Sequence, residues 1–74
     1  MAIRENKFIG ATISARGLLR IWYNDNNKER YLLWNVAKWS SMPTLHTLTR
    51  RGKLKGFDEK SQRQIVELCK AIYL

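Results

Sequence analysis

The apolar residues change period partway along the chain, and that change limits the folds open to it. In the first third they alternate, which puts every second side chain on one face of a strand. Farther on they recur every three or four positions, the spacing of a helix. From Lys7 to Ala15, the residues Ile9, Ala11, Ile13 and Ala15 share one face, with Thr12 and Ser14 on the other. From Leu18 to Asn24, Leu19, Ile21 and Tyr23 oppose Leu18, Arg20 and Trp22. Arg16-Gly17 suits a tight turn between the two strands. Asn24 to Glu29 reads as a polar loop rich in residues that tolerate positive φ. Arg30 to Trp34 then reads as a third strand that closes a hairpin with the second.

The helical half begins ambiguously. Leu33, Val36, Ala37 and Ser40 have helical spacing, so the expectation is a strand to about Trp34 and a short helix to about Ser40. Ser41 is expected to cap a second helix, with Pro43 in its first turn. Gly52 suits the C′ position, and Leu54 beyond it can fold back as in a Schellman ending. Asp58 or Ser61 opens the last helix, and Ser61 with Gln64 has capping-box spacing. Ile65, Leu68, Cys69 and Ile72 form its apolar stripe. Strands first and helices after imply an α+β fold. A two- or three-stranded antiparallel sheet at the N-terminal end would pack against two or three C-terminal helices. At 74 residues, the whole of 1–74 is expected to form one domain.

Cys69 is the sole cysteine, so an internal disulfide is excluded and a cysteine-based metal site is not expected. Small secreted domains usually carry several disulfides, which points this chain to the reducing cytoplasm. The opening MAIRENKFI lacks the apolar core of a signal peptide. No apolar run approaches the roughly 18 residues of a membrane span, and no membrane association is expected. An apolar fraction of 45% is too high for a disordered tail.

Charge is the strongest functional signal. Lys and Arg number 14 against 6 Asp and Glu, for a net charge of +8. Between Arg30 and Phe57 lie Arg30, Lys38, Arg50, Arg51, Lys53 and Lys55, with no acid among them. Ordinary solvated faces mix signs. A basic surface of this kind fits nucleic acid first, with an acidic membrane surface or an acidic protein as rivals.

Catalytic chemistry is poorly provided for. His46 is the only histidine and lies among Thr44, Thr47 and Thr49. Cys69 sits on an apolar stripe and reads as a core residue. Asp58-Glu59 reads as an acid pair favourable to a helix N-terminus. No phosphate-cradling glycine loop is present, so neither an enzyme nor a bound cofactor is expected.

Val36 to Gly56 reads as helix, turn, helix, glycine stop and basic loop, the layout of a helix-turn-helix. Thr44 to Arg51 would be the recognition helix, with Leu45 and Leu48 anchoring it. Thr44, His46, Thr47 and Arg50 would face a groove, while Arg51, Lys53 and Lys55 would meet phosphates. Thr44-Leu45 and Arg50-Arg51-Gly52-Lys53-Leu54, preceded by Ala37-Lys38-Trp39, resemble a small helix-turn-helix of phage proteins, including HNH-type homing endonucleases. The segment is also similar to excisionase-like and MerR-like modules. The resemblance covers about twenty residues. It implies sequence-specific binding of duplex DNA by a phage or mobile-element regulator or accessory factor. Nothing here resembles the HNH nuclease itself, and Ser40-Ser41-Met42 departs from the usual Gly-apolar turn.

Two other functions stay open. Trp22, Tyr23, Tyr31 and Trp34 lie on the strands beside Arg20 and Arg30, a possible stacking platform for RNA or single strands. A small domain also needs such rings for its core, which is the expectation for Trp22 and Trp34. A basic sheet of this size could itself enter a duplex major groove. Alternatively, the chain could be an inhibitor or adaptor that docks an acidic host protein, with the apolar end Ala71-Ile72-Tyr73-Leu74 serving that interface or a homodimer.

Overall fold

A computed structural model of the chain describes residues 5–50 and 53–73. Three strands, β1 (Lys7–Ile13), β2 (Leu18–Asp25) and β3 (Lys28–Asn35), form an antiparallel meander in the order β1-β2-β3. A 3-10 turn, Val36–Lys38, leads to the short helix α1 (Leu45–Arg50) and then to the long helix α2 (Glu59–Tyr73). The α+β order expected from the two hydrophobic periods is present.

The hairpins are set by local chemistry. Between β2 and β3, Asn26 and Asn27 both hold positive φ (52° and 67°), the type I′ geometry that matches strand twist. The expected six-residue polar loop is therefore a two-residue turn, and both strands run farther than their apolar residues indicated. Between β1 and β2, the Gly17 amide donates to the Ser14 carbonyl at 3.0 Å, with Gly17 at φ +83°. The Gly17 carbonyl then accepts from the Val36 amide at 2.9 Å, tying this turn to the end of β3.

The β1 pattern departs from simple alternation. A register shift between Phe8 and Gly10 leaves Ile9 as an extra residue in the strand. A bulge of this kind reverses the facing of what precedes it. Phe8, rather than Ile9, packs on the core, and Ile9 is exposed. Ala11 packs inward as expected, whereas Ile13 at the strand end is half exposed and Ala15 lies in the turn.

The core lies between one face of the sheet and α2. Leu19, Ile21 and Trp34 meet Ile65, Val66 and Cys69, with Leu48, Leu54 and Phe57 closing the end. Tyr23 and Phe57 rings pack at 4.8 Å between centroids. Leu54 folds back into the core, and the Lys53 amide donates to the Leu48 carbonyl, the 6→1 bond of a Schellman ending. Gly52, assigned to that ending, lies outside the described residues, as does Arg51.

Asp58 caps α2, its Oδ1 accepting from the Ser61 amide at 2.7 Å. Ser61 is buried and takes no part in a capping box; its Oγ accepts from the Phe8 amide at 2.8 Å. Asn6 is strapped to the same segment: its amide donates to the Gly56 carbonyl and its carbonyl accepts from the Asp58 amide. Among the described residues, no helix is long and apolar enough to cross a membrane.

Two consequences are measurable. A Cβ on Gly17 would meet Ala37 Cβ at 2.9 Å in a left-handed conformation, while one on Gly10 meets nothing within 4 Å. Gly17→Ala is expected to cost about 1–2 kcal/mol or more in urea unfolding, and Gly10→Ala to stay within about 0.5 kcal/mol of wild type. The side-chain and backbone hydrogen bonds from Ser61 hold the Asp58 carboxyl below its ordinary 3.8. A depressed acid contributes stability above its unfolded pKa and loses it as pH falls through the folded one. Asn caps as well as Asp but does not titrate. The thermal stability of wild type should therefore fall toward that of Asp58→Asn as the pH drops from 5 through about 3.

Candidate nucleic-acid interface

With α2 on the inner face, the outer face of the sheet is left without a covering layer among the described elements. Strand register decides which side chains occupy it. Arg20 pairs with Thr12 on one side and Leu33 on the other, and Trp22 pairs with Gly10 and Tyr31. Directly paired residues share a face. The outer face therefore carries Thr12, Arg20, Trp22, Tyr31 and Leu33 across three strands, with Ile9 at the bulge.

These side chains form a connected cluster. The Trp22 and Tyr31 rings lie 4.8 Å apart at 48°, and the Arg20 guanidinium sits 5.5 Å from the Tyr31 centroid. Tyr31 (47%) and Leu33 (51%) are exposed. Trp22 is half-buried and belongs to this cluster, which corrects its expected place in the core. Trp34 is buried as expected, because it pairs with Leu19 on the inner face. Among the described residues Arg20 has no ion-pair partner, and its charge over an aromatic ring is a contact worth about 0.5–1 kcal/mol at an exposed site. Arg30 behaves differently. It pairs with Tyr23 in register, on the other face, and binds Asp25 at 3.2 Å.

The segment after β3 builds a second feature. Val36–Lys38 is a single 3-10 turn, not the helix expected from Val36 to Ser40. Its helical spacing is interrupted because Trp39 returns to extended backbone (φ −72°, ψ 128°) and packs on Trp34 at 6.1 Å. α1 covers Leu45–Arg50, and its cap is Thr44, not Ser41: Thr44 Oγ1 accepts from the Thr47 amide at 3.2 Å. Thr49, whose Oγ1 donates to the Leu45 carbonyl, is held back on the helix.

Between the end of β3 and α1 lies an open groove of about 390 Å³. Its walls include Asn35, Lys38, Trp39, Ser41, Thr47 and Lys53. Three of the expected contact residues, Lys38, Thr47 and Lys53, are thus brought together. Thr44, His46 and Arg50 are exposed on or beside α1 but do not line the groove. Lys55 is exposed in the following turn. Leu33 lines the groove and also stands on the outer sheet face, so the two features are continuous.

The outer cluster was within reach of the sequence. Reading Asn26-Asn27 as a type I′ turn fixes the β2–β3 register, and Trp22 opposite Tyr31 and Arg20 opposite Leu33 follow from it. The groove was not, because it depends on the irregular backbone from Trp39 to Thr44. Among the described residues, no three His, Cys, Asp or Glu side chains gather as a metal site. No family model matches the chain, and no curated protein or solved structure shows significant similarity to it.

The two faces of the sheet should separate by stability. Trp34→Ala removes a core ring and is expected to cost about 3–5 kcal/mol. Tyr31→Ala removes one cross-strand aromatic pair and should cost about 0.5–1.5 kcal/mol, leaving a folded protein by near-UV dichroism and urea titration.

Proposed function

We propose that the protein binds duplex DNA without catalysing a reaction on it, presenting the outer face of its sheet to the major groove. The observation that carries this is the uncovered face on which Arg20, over Tyr31, stands at the centre of three strands. Strands lie about 4.8 Å apart, so three span about 10 Å, close to the roughly 12 Å width of the major groove. Arg20 has the donors to reach guanine, Thr12 a hydroxyl for base edges, and Leu33 and Ile9 apolar surface for thymine methyl groups. The net charge of +8 supplies the sequence-independent attraction to phosphates.

The segment with the layout of a helix-turn-helix takes the flank on this proposal. Exposed Arg50 and Lys55 have the charge to meet the DNA backbone, with His46 and Thr44 beside them. Arg51 shares their charge but lies outside the described residues. A six-residue α1 preceded by a 3-10 turn lacks the first helix that usually braces a recognition helix, which favours the sheet as the reading element. The alternative, single-strand or RNA stacking, fits less well. Arg20 and Trp22 both contact Tyr31, so a base stacking there competes with contacts that the ring already makes.

Fluorescence anisotropy with blunt duplex, single strand and RNA across a salt series tests the proposal. Duplex is expected to bind tightest. Arg20→Ala should lower duplex affinity about 10- to 100-fold, the worth of a base contact. Arg63→Ala, on α2, should change it less than threefold. Equal effects of the two substitutions, or binding weaker than about 100 μM at physiological salt, would overturn it.

A further inference from the structure

The groove between the end of β3 and α1 has features that a duplex lying on the sheet does not use. It is lined by two lysines, Lys38 and Lys53, and by no acid. Neither ammonium has an ion-pair partner among the described residues, whereas Arg30, Arg63 and Lys70 each have one. Ser40 and Ser41 lie along the walls with Thr47, whose hydroxyl bonds that of Thr44 at 3.0 Å, and with the half-buried Trp39. Two unpaired cations and several hydroxyls are groups that hold a phosphate. An indole next to them offers a surface to a base. The volume of about 390 Å³ falls at the lower end of small-ligand sites, about 300–1,000 Å³, and is far too small for a duplex.

The position of the groove adds to its chemistry. Leu33 and Asn35 line it, and both stand on the outer face of β3, paired with Arg20 and Leu18. The β3 side of the sheet face therefore shares Leu33 and Asn35 with the groove.

We propose that this groove is a nucleotide site that holds one unpaired, phosphate-bearing nucleotide of a strand extending beyond the duplex. Lys38 and Lys53 take its phosphate, and Trp39 meets its base. The orientation along the duplex rests on the proposed sheet-face binding; the groove itself does not, because its chemistry suits a nucleoside phosphate from any source.

The test compares a blunt duplex, the same duplex with a four-nucleotide single-stranded tail at either end type, and free AMP as competitor. The tail is expected to raise affinity about tenfold. It should also steepen the slope of log K against log salt by about 1, as one or two further single-strand phosphates would. The double variant Lys38→Ala/Lys53→Ala should erase the tail gain and leave blunt-duplex affinity within threefold. Arg20→Ala should do the reverse, keeping the gain while weakening both duplexes. Millimolar AMP should remove the tail gain and quench tryptophan fluorescence. If blunt and tailed duplexes bind alike, or the lysine pair lowers both equally, the proposal is overturned. Saturable quenching by AMP with no tail gain would assign the groove to free nucleotides and overturn the strand assignment. Failure of sheet-face binding is read separately, from an Arg20→Ala that leaves blunt-duplex affinity unchanged.

Discussion

The free edge of β1 is where the two layers of this protein are joined. β1 has β2 on one side only, so alternate amides on its other side face outward. The Phe8 amide is taken by the buried Ser61 hydroxyl of α2, and the Asn6 amide by the Gly56 carbonyl. Asp58 binds Ser61 in turn and returns a hydrogen bond to Asn6, so one short segment caps a helix and covers a sheet edge together. Unpaired edges invite association with other chains. Here that edge instead fixes where α2 begins and aims its stripe of Ile65, Val66 and Cys69 at Leu19 and Ile21.

That arrangement has a price in exposed surface. One long helix covers one face, and among the described residues no second layer covers the other. The uncovered face keeps its own order through side-chain contacts alone: Trp22 against Tyr31, and Arg20 over Tyr31. Its apolar members are dispersed among a cation and a hydroxyl. Such a surface remains hydrated, yet gives up little side-chain entropy when it meets a partner, because its largest rings are already packed.

The elements with strong period were legible from sequence. β2, with its clean alternation, and α2, with its stripe and acidic first turn, lie close to where composition and spacing place them. Failures fall where a local feature overrides the period. The bulge at Phe8/Gly10 turned Ile9 outward. The left-handed Asn26-Asn27 pair shortened a loop. Around Val36, helical spacing lost to a Trp34–Trp39 contact that pulls the chain back to extended form. The basic run was visible, but only the folded backbone separates its members: Arg30 into an ion pair, and Lys38 and Lys53 into one groove, with Arg20, outside the run, on the sheet face.

Cys69 is fully buried under the sheet, and burial pushes its thiol up to about 11. At neutral pH only about one molecule in 10⁴ then carries the reactive thiolate. Two folded copies therefore have no means of crosslinking through it, whatever the oxidant outside. Modification by a thiol reagent has to wait for α2 to lift from the sheet. The rate at which this one sulfur reacts is accordingly a clock for that opening, carried in the native sequence and needing no added label.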